Sequence, residues 1–216
     1  MNFNAESDPN IKLNLLFPAP VIEVDLPMAD QLIEPLRSAI YANKAASKGI
    51  MRSNILGWHS DTKMLEWGGD AAAVLAMETM KVCGRYTSDA VAPKGQSRYE
   101  MGMEMWANVS PAGASNQLHA HPSSYWSATF YVDDGGDQED GHFVAQDPRF
   151  PTNRMNAADL LFVDDDGHKH GSQHRMAPTP GKLVIFPSWM LHSVRPHNGP
   201  RDRISIAMNI IAMHAR

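Results

Sequence analysis

The feature that most constrains the fold is a change of pattern near Tyr99, where helical spacing of apolar residues gives way to alternation of period two. Such alternation predicts strands with one buried face, and short apolar runs between turn residues predict buried strands. We predict about eight short strands, at 99–109, around 119–121, and at 127–132, 141–144, 160–162, 181–186, 193–195 and 204–212. The first strand should place Met101, Met103 and Met105 on one face and Gly102, Glu104 and Trp106 on the other.

The residues before Tyr99 predict an edge strand at 21–24 and two helices. Apolar residues at helical spacing predict an amphipathic helix from about Ala29 to Ala46. Pro35 lies inside that pattern, so the helix either starts near Glu34 or is kinked. A second helix should begin with Asp70 as its N-cap and end near Gly84.

Helices followed by short strands predict a mainly β fold with packed N-terminal helices, of the double-stranded β-helix (jelly roll, cupin-like) type. We find no repeat or linker that would divide the chain. A single domain over residues 1–216 is therefore expected, with 1–98 as a strand and helical part packed on the sheet and 99–216 as the core with the metal site.

The composition favours a soluble, cytoplasmic protein. Hydrophobic content of 43% and charged content of 20% are globular values. The single cysteine, Cys83, cannot form an intramolecular disulfide and is expected to be a buried small apolar residue. Residues 1–10 do not resemble a signal peptide, and no apolar run has membrane-spanning length. The net charge of −5, without a block of Lys and Arg, argues against a nucleic-acid surface, and the sequence allows a homodimer without deciding it.

Three histidines form the candidate metal site. His119 and His121 are two residues apart, so on a strand both imidazoles leave the same face. His192 follows the apolar run 183–186, and the three rings converge if the two strands are neighbours. Three protein ligands with open positions are typical of a catalytic metal site. A second pair, His168 and His170, lies in a loop rich in Asp and Gly and is expected to be solvated.

A cationic residue, Arg203, lies a short distance along the chain after the third histidine. Arg203 comes eleven residues after His192 and opens an alternating run in which Ser205 shares its face. Burial of an unpaired guanidinium is costly, so Arg203 should face an anion. We predict that Arg203 and Ser205 together bind a carboxylate.

These residues resemble the signature of the Fe(II)/2-oxoglutarate-dependent oxygenases, and more closely a bacterial and phage branch of that superfamily. The resemblance covers the chain from Tyr99 to the C-terminus and rests on the combination of several motifs. They are Trp106-x-Asn108, Asn116-x-x-His119-x-His121-Pro122, Tyr131-Val132, Asp147-Pro148-Arg149, Phe186-Pro187-Ser188-Trp189-x-x-His192-x-Val194 and Arg203-x-Ser205-x-x-x-Asn209.

The resemblance implies a role for each matching residue. His119 and His192 take the positions of the first and distal metal ligands, and Arg203 that of the residue that binds the 5-carboxylate of 2-oxoglutarate, with Ser205 beside it. Tyr131 matches a strand tyrosine that often reaches the same carboxylate, and Asn108, on the strand before the metal pair, is placed to contact the cosubstrate. His121 departs from the family at large, which has Asp or Glu there, and a neutral ligand leaves the site one charge more positive.

The expected activity is the coupling of oxidative decarboxylation of 2-oxoglutarate, with Fe(II) and O2, to hydroxylation of an unknown small-molecule or peptidyl substrate. One alternative is a cupin-like enzyme, a dioxygenase or isomerase, with a three-histidine metal and no 2-oxoglutarate. Another is a metal-stabilised binding module. Arg203 separates the first two, because only the first requires it in the metal pocket. The stretch Trp58–Ser60 could form a lid, but packing is the expected role.

Overall fold

The computed structural model describes Leu13 and residues 16–149 and 159–215. Its helices are α1 (Ala29–Ala46), α2 (Met64–Trp67) and α3 (Gly69–Arg85). Helix α1 contains Pro35, so it begins at Ala29 as predicted from the apolar spacing and not near Glu34. Helix α3 starts earlier than predicted, with Gly68 as its N-cap and Asp70 in its first turn. Gly69 has φ +68°, a left-handed conformation that glycine adopts readily, and this allows α3 to follow α2 directly.

Thirteen strands lie among the described residues. They are β1 (Ile22–Asp25), β2 (Asn54–Ile55), β3 (Trp58–His59), β4 (Tyr99–Ser110), β5 (Ser115–His119), β6 (Trp126–Asp134), β7 (Phe143–Gln146), β8 (Phe162–Val163), β9 (Lys169–His170), β10 (Gln173–Met176), β11 (Lys182–Pro187), β12 (His192–Val194) and β13 (Arg203–His214). The larger sheet has the order β1-β11-β6-β13-β4-β3, the second sheet has the order β10-β7-β12-β5-β2, and β8 pairs with β9.

This two-sheet antiparallel arrangement confirms the predicted mainly β jelly roll. The residues before Tyr99 do more than pack on a sheet, because β1 and β3 form the two edges of the larger sheet and β2 forms an edge of the second. The single-domain division stays a prediction. No helix in the described ranges has the length and hydropathy that a membrane span requires.

The larger sheet separates the apolar core from the candidate site. One face packs against the helices through alternate residues of its long strands. These are Met105, Ala107 and Val109 on β4, Trp126, Ala128, Phe130 and Val132 on β6, Leu183 and Ile185 on β11, and Ile204, Ile206, Met208 and Ile210 on β13. Met101 and Met103 pack against the same core, as the predicted alternation requires, and Cys83 is buried there at 1% exposure. The intervening residues therefore face the second sheet.

Candidate metal centre and cosubstrate pocket

Three histidines meet where the second sheet faces the larger one. His119 ends β5, His192 begins β12, and the two are directly opposite each other in the antiparallel pair. His121 lies beyond the end of β5, where its backbone N–H donates to the Ser188 carbonyl at 2.9 Å. One ring nitrogen of each histidine lies within 4.8 Å of the others. The predicted convergence of the three imidazoles is therefore present.

Backbone carbonyls orient two of the three rings. The Nδ1–H of His119 donates to the Gln117 carbonyl at 2.7 Å, and the Nδ1–H of His192 donates to the Met190 carbonyl at 2.8 Å. In each case the acceptor is the residue two positions earlier, and Nε2 is left as the lone-pair nitrogen. Such hydrogen bonds fix the tautomer of metal-binding histidines. The Nε2 atoms of His121 and His192 are 3.3 Å apart, close enough to share one ion.

The environment keeps the three imidazoles neutral. Burial lowers the pKa of His119, and it lowers the pKa of His121 to about 4 and of His192 to about 3, with the neighbouring His119 adding to both shifts. His192 is the most enclosed, between the rings of Phe143 and Phe186. Neutral imidazole is the form that binds a divalent metal, so the site needs little deprotonation to do so.

Arg203 is buried at 2% exposure and has no acidic partner among the described residues. Its Nη1 donates to the Ser205 hydroxyl at 3.3 Å, and its guanidinium lies 5.2 Å from the centre of the Tyr131 ring. Three buried polar atoms here have no hydrogen-bond partner: Arg203 Nε, the Tyr131 hydroxyl and Asn108 Oδ1. Burial lowers the pKa of Arg203 and raises that of Tyr131. A bound anion would compensate the buried cation and accept a hydrogen bond from the Tyr131 hydroxyl.

The seven side chains predicted to bind the metal or the cosubstrate line one cavity of about 490 Å³ between the sheets: Asn108, His119, His121, Tyr131, His192, Arg203 and Ser205. This volume is within the usual range of ligand pockets. A larger groove of about 720 Å³ lies among the three helices and contains none of these residues. We assign the chemistry to the smaller cavity because the metal-binding and cationic groups are there.

Sequence reasoning did not find several residues of the same cavity wall. Arg52, His59, Thr62 and Glu104 also line it. The alternation on β4 gave the correct face for Glu104 without showing that this face borders a cavity. His59 was expected in a lid or in packing, and it instead lies on the edge strand β3, opposite Asn108 of β4.

The loop histidines lie apart from this site. His168 and His170 are exposed, as predicted, and both bond to the carboxylate of Asp164 at 3.1 Å. Within the described ranges, no carboxylate joins the three-imidazole group. The departure at His121 therefore leaves a candidate metal site of three neutral imidazoles.

Residues 104–209 match the family model described as "Putative 2OG-Fe(II) oxygenase". Residues 104–209, the part of the chain that carries the three histidines and Arg203, belong to this oxygenase family. Fe(II), 2-oxoglutarate and O2 are accordingly the metal and cosubstrates of the enzyme. The orphaned polar atoms and the neutral three-histidine group fit these ligands. A search of curated proteins gave no match to the chain.

Solved structures support the fold of this oxygenase. A Pseudomonas putida prolyl-4-hydroxylase is 20% identical, with a TM-score of 0.56 over 91% of this chain and 92% of that chain. HygX from Streptomyces hygroscopicus, with nickel and 2-oxoglutarate bound, is 13% identical, with a TM-score of 0.58 over 89% and 82%. The carbocyclase SnoK from nogalamycin biosynthesis is 10% identical, with a TM-score of 0.61 over 90% and 81%. These neighbours differ in reaction, so the fold does not decide the outcome of oxidation.

Proposed function

We propose that this oxygenase hydroxylates a C–H bond of its substrate, with the metal held by His119, His121 and His192. The observation that carries the proposal is the position of Arg203, a buried cation without an anion in the same cavity as the three imidazoles. The Pseudomonas putida prolyl-4-hydroxylase is an example of this outcome on the same fold.

The metal-binding roles follow from the contacts of each ring. His119 and His192 are oriented by their Nδ1–H bonds, so they would present Nε2 to the ion once the Ser53 hydroxyl, 3.4 Å from His119 Nε2, gives way. His121 has no such anchor to a described acceptor, and the Trp106 ring, 5.7 Å away between centroids, supports it from one side. We expect His121 to be the ligand whose position adjusts most when the ion binds.

The cosubstrate roles follow from the orphaned groups. Arg203 and Ser205 would bind the distal carboxylate of 2-oxoglutarate, and the Tyr131 hydroxyl would donate to it. Asn108 is directly opposite Ser205 in the β4–β13 pair, so its amide N–H can reach the same ligand. When bound, the metal and 2-oxoglutarate supply O2 activation, with release of succinate and CO2 and insertion of one oxygen atom into the substrate.

The remaining contribution of the chain is orientation and the exclusion of water. Phe143 and Phe186 pack against His192 and are buried, so the side of the site behind the distal histidine is dry. Ala207 lies on the cavity face of β13 between Ser205 and Asn209, and its small side chain leaves room for ligands.

The cupin-like alternative, in which the three-histidine metal works without 2-oxoglutarate, gives no role to Arg203. The position of Arg203 in the cavity favours the enzyme that uses 2-oxoglutarate. The two unpartnered donors there, Arg203 Nε and the Tyr131 hydroxyl, favour it as well. The binding-module alternative predicts no turnover at all. Both alternatives are therefore tested by one assay.

The assay is succinate formation from 2-oxoglutarate by protein supplied with Fe(II), ascorbate and air. We expect turnover in the wild type, including a slow reaction without substrate, and its loss in His192→Ala. His168→Ala is the matched control, because it removes an exposed imidazole outside the cavity. Absence of succinate in the wild type, or its persistence in His192→Ala, would contradict the proposal.

A further inference from the structure

One wall of the cavity is used only in part by the proposed function, through Trp106 and Asn108. It is formed by the cavity face of β4, with Glu104, Trp106 and Asn108, and by His59 of the neighbouring edge strand β3. His59 lies directly opposite Asn108 in the strand pair. We call this surface the β3–β4 wall.

His59 is held rigidly with one nitrogen unused. Its Nδ1–H donates to the Ser60 carbonyl at 2.6 Å, and its ring stacks on Trp106 with centroids 5.5 Å apart and planes at 12°. The side chain is 5% exposed, and burial lowers its pKa, so Nε2 is a neutral acceptor. No described residue donates to Nε2.

Two more acceptors on the same wall have no donor. Asn108 Oδ1 is buried and unpartnered. Glu104 is an exposed carboxylate at the cavity, and it makes no hydrogen bond or ion pair with any described residue. His59 Nε2, Asn108 Oδ1 and the Glu104 carboxylate are thus unused acceptors, whereas Arg203 Nε and the Tyr131 hydroxyl are unused donors.

The strand register separates these two ends. Glu104 is directly opposite Asn209 on β13, and Arg203 lies six residues before Asn209 on the same face of that strand. Six residues of strand span about 20 Å, so the carboxylate-binding end and the Glu104 end are well apart. Trp106, which contacts the metal-binding His121, lies between Glu104 and Asn108 on β4. A molecule bound along the β3–β4 wall therefore passes close to the metal.

We propose that the substrate is an organic amine whose protonated amino or guanidinium group pairs with Glu104, while an O–H or N–H group of the same molecule donates to His59. This inference rests on the proposed function, because it assigns the substrate of that site. Arg52 also lines the cavity and acts on His59, so a cationic group is repelled there and is directed to Glu104. Four residues of strand, about 13 Å, separate the level of Glu104 from that of His59 and Asn108, which suits a molecule longer than a simple amino acid backbone.

The test measures binding without turnover. Anaerobic protein is loaded with Co(II) and 2-oxoglutarate, and small probes are titrated while their NMR line broadening by the paramagnetic ion is followed. The probes are n-hexylamine, L-lysine and L-arginine, each with an uncharged counterpart: 1-hexanol, Nε-acetyl-L-lysine and L-citrulline. Hexanoate serves as the anionic probe. Glu104→Gln is compared with Glu100→Gln, an exposed residue on the same strand that does not line the cavity.

We expect at least one amine to bind about fivefold or more tightly than its counterpart, a preference that Glu104→Gln abolishes and Glu100→Gln retains. Equal binding within every pair, or an amine preference that survives in Glu104→Gln, would overturn the inference. A preference for hexanoate that disappears in Arg52→Gln, or no binding by any amine, would also overturn it. The visible spectrum of Co(II) reports 2-oxoglutarate binding in the same sample, so failure of the proposed function is seen separately.

Discussion

Replacement of Arg203 by Met should have opposite effects on stability and on cosubstrate binding. In the ligand-free protein the guanidinium is buried; it donates to the Ser205 hydroxyl at 3.3 Å and has no acidic partner among the described residues. A buried charge without a counter-ion costs several kcal/mol, although cavity water offsets part of that cost. Met keeps the apolar stem and removes the charge. We therefore expect the free energy of unfolding of the ligand-free protein to rise by about 1–2 kcal/mol, which is an increase of roughly 2–8 °C in Tm.

The same substitution should severely weaken the binding of 2-oxoglutarate. Loss of one partner of a buried, hydrogen-bonded charge pair costs about 2–5 kcal/mol. The dissociation constant should then rise by roughly 30-fold to several thousandfold. Higher stability together with weaker 2-oxoglutarate binding is the expected result when a residue serves ligand binding at the expense of folding stability.

Urea denaturation of the ligand-free protein measures the first effect, and calorimetric titration of 2-oxoglutarate into anaerobic Co(II)-loaded protein measures the second. Arg201→Met is the matched control, because Arg201 already has carboxylate partners, Asp133 at 3.0 Å and Asp134 at 3.4 Å. This control should not stabilise the protein and should leave 2-oxoglutarate affinity unchanged. The reasoning is refuted if Arg203→Met lowers the unfolding free energy by more than about 1 kcal/mol, or if it binds 2-oxoglutarate as the wild type does.

Three further predictions concern buried groups. Tyr131→Phe removes an unpartnered hydroxyl, so the ligand-free protein should unfold at the same or higher urea concentration, while calorimetry should show about tenfold weaker 2-oxoglutarate binding. Burial lowers the pKa of His121 to about 4 and of His192 to about 3. The unfolded chain therefore binds more protons than the folded one below about pH 6.5, so the metal-free protein should lose stability as the pH falls towards 4; a flat urea profile between about pH 7 and 5 would contradict this. Burial raises the pKa of the Cys83 thiol to about 12, so a disulfide reagent should react with it only after unfolding, and rapid reaction with the native protein would contradict this.

The long strands were predictable because their signal is local. Alternation between Met101 and Trp106 gave the correct faces of β4, since side chains of a strand alternate whatever the strand pairs with. The grouping of His119 with His192 was also predictable, because a metal site restricts which strands can be neighbours.

The parts that depend on distant contacts were not predictable. Strand β3 has two residues, too few for any periodicity, and it exists through its pairing with Val109 and Asn108 about fifty residues later. His121 lies outside β5, so its approach to the other imidazoles depends on the backbone bond to Ser188 and not on strand alternation alone. The start of α3 at Gly69 depends on the short helix α2, which no sequence pattern marked.

The edge position of β3 has a consequence for protein engineering. His59 reaches the cavity from a strand that pairs with β4 alone, whereas Arg203 and the three imidazoles proposed to bind the metal come from β5, β12, β13 and the turn after β5. The segment from α1 to α2 also contains β2 and Ser53, which contacts His119; if these are kept, the rest of the segment could be exchanged for that of a relative without replacing the strands proposed to hold the metal and the cosubstrate. A chimera of this kind should differ from the parent enzyme in substrate preference more than in the oxidation reaction.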